Sequence, residues 1–236
     1  MRKTVAFHLN QMSERGTEVS TFDYAKYNQS ILKNKSIIIA NRKKIFNSFE
    51  KFIIKAIVKL GIKSDKEIKF FSKRHRATFQ KFTSNFNVFF YDDLSEIDLI
   101  CKKQNVDFFY VQKFGHKDNL ISNFSKNLVH VIFMANEIHG HKYLYISKWL
   151  AKTMTGNEHQ YVPYIVNKST LNAKNNLREE FRIPNDAIVV SSYGGKRVFD
   201  INFVKEKIKE ILHKKGDIFF IFLNIEPFYK HPKVYF

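Results

Sequence analysis

Three short runs in this chain carry residue types that do chemistry. Gly194-Gly195-Lys196-Arg197 joins two glycines to two cations. Glycine lets a backbone approach an anion closely, and the cations pair with phosphate oxygens. The run is neither a Walker loop, since no Gly-Lys-Ser/Thr follows at the required spacing, nor GxGxxG; the same residues also make a plain turn. Gly16-Thr17-Glu18 stands where the first loop becomes a helix, so its backbone N–H groups face whatever docks above the strand ends. The third run follows the apolar stretch Leu128-Val-His-Val-Ile132 and reads Asn136-Glu-Ile-His139-Gly-His141. His130 within that stretch is either a catalyst or a satisfied core histidine. His139-x-His141 has a metal-like spacing, but no carboxylate or cysteine cluster completes a site, so no metal is expected. No Gly-x-Ser-x-Gly elbow, Cys–His pairing or His-Glu-x-x-His is present. Asp92 and Asp93 are adjacent along a strand end and point to opposite faces, which excludes a paired acid/base device there.

These residues must be held by regular elements, and the hydrophobic pattern supplies them. Strands are expected at 4–10, 36–40, 87–92, 107–113, 128–134, 142–146, 161–166, 187–192 and 218–224. Helices are expected at 17–33, 43–60, 77–85, 95–104, 147–154, 175–182 and 202–214. Short β-branched and aromatic runs alternating with amphipathic helices predict an α/β fold, with a mostly parallel sheet covered on both faces. The first forty residues form a right-handed βαβ unit. Ser95 is the expected cap of one helix, and Asp200 or Asn202 of another. A boundary falls near Val162–Thr170, which predicts a first domain over 1–165 and a second over 166–236. The second opens with its own βαβ start, and Gly194-Gly195 lies just after its first strand. Residues 42–76 read as an insertion: Ile45, Phe49, Phe52, Ile53, Ala56, Ile57 and Leu60 share one helical face, with lysines around the rest. A basic amphipathic helix lies on an anionic membrane, contacts RNA backbone, or packs as an ordinary surface helix.

The 236 residues are 44% hydrophobic with 25 Phe and 11 Tyr, enough for a real core and not the composition of a disordered chain. The one cysteine, Cys101, sits on an apolar helical face beside Ile97 and Ile100. It reads as core, excludes an intramolecular disulfide and fits a reducing compartment, so a cytoplasmic location is expected. No apolar run approaches the ~20 residues that a membrane span needs. The net charge of +18 attracts anions: nucleotide phosphates, an acidic membrane surface at the periphery, or, less in keeping with the rest, nucleic acid.

Several segments taken in order resemble glycosyltransferases of the two-Rossmann-domain, GT-B type. They are Phe7-His-Leu-Asn10, Arg15-Gly-Thr-Glu18, Asp23-Tyr-Ala-Lys-Tyr27, Asn127-Leu-Val-His130, Asn136-Glu137, His139-Gly140, Tyr145-Ile-Ser-Lys-Trp-Leu-Ala151, Tyr161-Val-Pro163, Leu177-Arg-Glu-Glu180 and Gly194-Gly195. The resemblance covers nearly the whole chain outside the basic insertion. It implies a Rossmann-like parallel-sheet domain followed by a partial second one. It also implies sugar transfer from a nucleotide diphosphate donor to an acceptor hydroxyl, without metal or other cofactor. By the same resemblance Gly16, Thr17 and Glu18 approach the substrates, and His130, with Asn136 and His139, lies near the reacting sugar. Gly194, Gly195, Lys196 and Arg197 face the diphosphate. One departure stands out: the pair of glutamates seven residues apart that such enzymes use to grip the donor is absent. With Lys233–Phe236 opening a third strand of the second domain, the expectation is a truncated, catalytically incomplete chain. The competing expectation is a non-enzymatic basic protein that binds nucleic acid or an anionic membrane surface.

Overall fold

The structure is a computed structural model that describes residues 2–13, 15–42, 52, 76–167, 177–194, 199, 201–214 and 216–236. The chain forms two compact units, Met1–Asn167 and Lys168–Phe236.

In the first unit, strands β1 (Thr4–Leu9), β2 (Lys35–Asn41), β3 (Asn87–Tyr91), β4 (Phe108–Lys113), β5 (Lys126–Val131) and β6 (Lys142–Tyr145) form one sheet in the order β3-β2-β1-β4-β5-β6. Every pairing is parallel. Central strands of such a sheet are buried on both faces and read as unbroken apolar runs; Ile37, Ile38, Ile39 and Ala40 of β2 are all fully buried. Val5, Phe7, Leu9, Ile38 and Ala40 turn to one face, where helix α1 (Gly16–Ser30) brings Phe22 and Ala25 and helix α2 (Arg76–Asn85) brings Phe79 and Phe82. Ala6, Ile37, Ile39, Phe109 and Val111 turn to the other. Helix α3 (Ser95–Lys103) covers that face with Ile97 and Cys101, and helix α4 (Lys148–Thr155) with Leu150 and Ala151. The split follows from chain direction. The path β1→β2→β3 runs one way across the sheet and returns past β1 to reach β4, so right-handed crossovers place the later helices on the opposite face.

α1 departs from the amphipathic helix expected over 17–33. Beside Phe22 and Ala25 it buries Glu18, Ser20, Thr21, Asp23 and Asn28. Hydrogen bonds compensate much of that polar burial. Asn28 Nδ2 donates to Ser36 Oγ at 2.8 Å, Ser36 Oγ to Ala25 O at 2.7 Å, and Ser20 Oγ to Gln112 Oε1 at 2.9 Å.

Other expectations are corrected. Residues 161–166 do not form a strand. Tyr161 makes a single parallel bridge to Tyr145, Val162 N–H donates to Tyr145 O at 2.8 Å, and Pro163 then has no N–H to continue the ladder. β5 starts earlier and ends earlier than 128–134. Ser95 is not a cap: Asp93 Oδ1 accepts from both Ser95 N–H and Ser95 Oγ, at 3.0 and 2.7 Å. Asn202 does not cap its helix either, whose preceding residue is Ile201. Apart from Arg42, Phe52 and Arg76, the basic stretch 42–76 lies outside the described residues, and so does Asp200.

In the second unit, β7 (Ile188–Tyr193), β8 (Ile218–Leu223) and β9 (Val234–Tyr235) are parallel in that order, with helices α5 (Leu177–Glu180) and α6 (Asn202–His213). Of the helix expected over 175–182 only Leu177–Glu180 is helical among the described residues. Ile208 of α6 packs on Phe220 and Phe222, while Ile183, Ala187 and Phe219 form a smaller cluster.

Candidate functional site

In an open parallel sheet, a crevice forms at the carboxyl ends where chain connections leave in opposite directions. Here that point lies between β1, which leads to β2, and β4, which leads to β5. A cleft of about 690 Å³ opens there, lined by the β1–α1 loop, the end of β4 and the segment beyond β5. Polar residues of the lining are Arg15, Thr17 and Glu18 from the start of α1, and Gln112 and Lys113 from β4; Phe114, Leu120, Ile132, Phe133 and Ile146 are its apolar residues.

Gly16, Thr17 and Glu18 thus lie together in the cleft. Gly16 leaves the α1 first turn open, with nothing within 4 Å of where a Cβ would sit. Glu18 is only 3% exposed, and Thr17 Oγ1 donates to its Oε2 at 2.9 Å. Burial raises its carboxyl above the usual range, against the lowering effect of the Thr17 hydrogen bond and the Arg15 charge. Buried Lys113 is neutralised by a short contact with Asp118, whose Oδ1 also accepts from Leu120 N–H at 3.0 Å. Sequence reasoning missed Gln112, Lys113 and Phe114. They sit at the end of an expected strand, but only the strand order shows that this end borders the first.

His130 is buried beneath the cleft and does not line it. Its Nε2 lies 2.9 Å from Val162 O, an acceptor only, so Nε2 carries the proton. Nδ1 therefore accepts from Tyr110 Oη at 2.6 Å, and Tyr110 Oη accepts from Gln112 Nε2 at 2.9 Å. Gln112 in turn is tied to Ser20 of α1. This directional chain satisfies a neutral imidazole, and burial pushes the His130 pKa down to about 4.

Asn136 and His139 lie in the loop after β5, at the same carboxyl edge, but outside the cleft lining. Asn136 Nδ2 donates to Met154 O at 3.0 Å and its Oδ1 accepts from Tyr145 Oη at 3.2 Å. His139 Nδ1 donates to Glu137 O at 2.6 Å; its Nε2 is buried with no hydrogen-bond partner among the described residues. Gly194 directly follows β7, donating its N–H to Leu223 O at 3.1 Å and accepting from Asn224 Nδ2 at 2.8 Å. Gly195, Lys196 and Arg197 lie outside the described residues. Among the described residues no three His, Cys, Asp or Glu side chains converge on a metal position, and no helix is long and apolar enough to cross a membrane.

No protein-family model and no curated protein matches the chain. Solved structures do. A Listeria monocytogenes protein described as a UDP-N-acetylglucosamine 2-epimerase aligns over 100% of this chain and 68% of its own, with TM-score 0.50 and 9% identity. The fold is Rossmann-like and of the GT-B kind. S. aureus MnaA with UDP covers 99% of this chain at TM-score 0.45 and 10% identity. The lipopolysaccharide outer core galactosyltransferase WaaB covers 93% at 0.46 and 9%. This chain spans 64% and 60% of those two proteins.

Proposed function

We propose that this protein takes a sugar from a nucleoside diphosphate donor and passes it to an acceptor hydroxyl seated in the switch-point cleft. The observation that carries the reading is Glu18: a buried carboxyl, raised by burial, in the first turn of α1 at the carboxyl edge of a GT-B-like sheet. Such a group accepts a hydrogen bond from a hydroxyl and aligns its oxygen for attack. In the transfer the hydroxyl oxygen bonds to the anomeric carbon, and the bond from that carbon to the diphosphate breaks. The nucleoside diphosphate leaves with the electron pair, and the proton of the hydroxyl passes to the released phosphate oxygen. Lys196 and Arg197, which follow Gly194-Gly195 in the sequence, are the proposed cations for the charge on the leaving phosphates, without a metal ion. His130 orders Gln112 through Tyr110, and Asn136, bonded to Met154 O and Tyr145 Oη, fixes the loop after β5 beside the cleft. The fold neighbour described as a UDP-N-acetylglucosamine 2-epimerase is, by that description, an enzyme of a nucleotide-linked sugar.

Calorimetry with UDP and with GDP tests the reading, followed by chromatographic detection of a transferred sugar. One of the two nucleotides is expected to bind, with affinity unchanged by EDTA. Replacing Lys196 and Arg197 by Ala should weaken it by about 1.5–3 kcal/mol per charge-assisted hydrogen bond lost. The net charge of +18 supports the alternative of a purely anion-binding protein. Binding to a short RNA or to anionic vesicles, abolished by salt, with no response to either nucleotide, would replace the transfer reading.

A further inference from the structure

The apolar side of the cleft is an organised aromatic surface. Phe114 stacks on His116 with ring centroids 4.8 Å apart and planes 10° from parallel, and on Phe133 at 4.9 Å and 25°. Phe114 and Phe133 both line the cleft and remain 48% and 52% exposed. The stack is braced from behind. Glu137 Oε1 lies 2.7 Å from His116 Nδ1, and Glu137 Oε2 accepts from Lys117 N–H at 2.8 Å. Gly115, between the first two rings, has φ +128°; an added Cβ would lie 2.7 Å from Val131 Cγ1 and 2.8 Å from the Ala135 Cβ. Tyr143 Oη donates to Gly115 O at 2.6 Å, which pins the loop. Two half-exposed phenyl rings are thereby held in place before any ligand arrives.

The same cleft is also lined by Glu18 and Arg15. A ligand that satisfies both kinds of lining needs an apolar face and a rim of hydroxyls. A pyranose ring has both: its axial C–H groups carry partial positive charge and sit against an electron-rich ring face, while its equatorial hydroxyls project sideways. An alkyl chain would satisfy the rings and leave the buried carboxyl without a ligand partner. We infer that the Phe114–Phe133 stack and Glu18 together form a saccharide subsite, so that the acceptor is itself a sugar. Calling that sugar the acceptor rests on the transfer reading; the subsite as a saccharide site does not.

Saturation-transfer NMR on the full chain, without nucleotide, tests it with three probes: methyl β-D-glucopyranoside, methyl α-D-galactopyranoside and hexyl phosphate. At least one glycoside should bind, with the strongest saturation on its axial ring protons. Phe133→Ala and Phe114→Leu should weaken it about five-fold or more, whereas Phe114→Tyr, which keeps the ring, should not. Glu18→Gln should weaken it as well. Unchanged circular dichroism and an unchanged urea-unfolding midpoint in the phenylalanine variants separate loss of the subsite from loss of the fold. Failure of both glycosides to bind, preference for hexyl phosphate, or glycoside binding indifferent to both phenylalanine variants would each overturn the saccharide site. Failure of UDP and GDP alone would overturn the transfer reading and leave the saccharide site standing.

Discussion

Two clefts of similar size open at opposite edges of the six-stranded sheet. The carboxyl-edge cleft has a volume of about 690 Å³ and the amino-edge one about 590 Å³. The acids at the two edges differ in kind: Glu18 lines its cleft, whereas Asp107 lies outside the lining of the amino-edge one. At the amino edge, Asp107 is a staple: its Oδ2 accepts from Thr4 N–H and its Oδ1 from Lys3 Nζ, both at 2.8 Å. The Lys3 hydrogen bond, then that from Thr4, holds its carboxyl below the usual range. At the carboxyl edge, Glu18 is buried and its carboxyl is raised. The amino-edge cleft is lined by Arg2, Lys35 and small polar side chains, and its buried Ser36 is committed to Asn28 and Ala25. Volume therefore does not distinguish a site from a surface dent. The chemical difference lies in whether the acidic group is stabilised as a scaffold ion or held in the less solvated state that a ligand can exploit.

The largest expected effect breaks the carboxyl edge itself. Gly115→Ala places a Cβ against Val131 and Ala135 at a backbone angle that L side chains rarely adopt. It should cost about 3 kcal/mol or more in urea unfolding. Next is His130. Its folded pKa of about 4 lies below the ordinary 6.5, so the unfolded chain takes up the proton first as pH falls. Its contribution is present in full above about pH 6.5 and lost on the way down to about 4, roughly 3 kcal/mol in all. His130→Gln should flatten that part of the stability–pH curve in urea titrations at pH 7.5 and 4.5.

Smaller effects sharpen the contrast because they have opposite signs. Asp107→Asn should destabilise at neutral pH by about 1 kcal/mol. Since the Asp107 pKa is lowered on folding, the deficit should vanish in acid, once the native aspartate is protonated as well. Glu18 is raised on folding, so its carboxyl destabilises the native state increasingly as pH rises through its folded pKa. Glu18→Gln should therefore raise Tm at pH 8, with the gain shrinking toward pH 4. Smallest of all, Arg2→Ala should leave UDP and glycoside affinities unchanged by calorimetry and shift stability by no more than about 0.5 kcal/mol.

Much of the first sheet was legible from its sequence because β1, β2, β4 and β5 are dense apolar runs, and parallel strands buried on both faces declare themselves that way. Gly16–Glu18 was legible for a similar reason: a glycine and an acid at a loop-to-helix junction carry their own geometry. The strand at 161–166 was not. Its residues have strand character, but Pro163 ends the pairing after Val162, a question of hydrogen-bond supply that composition does not answer. α1 is not amphipathic as expected because its buried face is largely polar, and contacts with Ser36 on the next strand and with Gln112, far along the chain, make that burial tolerable. Gln112, Lys113 and Phe114 became visible as site residues only when strand order put the end of β4 beside β1. For His130, the residue type admitted two readings that the neighbours Tyr110 and Val162 separate.

Cys101 gives the fold a clock. It is the sole thiol in the chain, fully buried among Ile97, Phe109 and Val129, and burial pushes its pKa up. A sulfhydryl reagent cannot reach it until α3 lifts from the sheet, so each modification event records one opening of that face. Measured against reagent concentration, the modification rate passes from one governed by the equilibrium of opening to one limited by the opening step. The native sequence thus carries a built-in probe for whether a bound nucleotide or sugar slows the breathing of the first sheet, with no label to introduce.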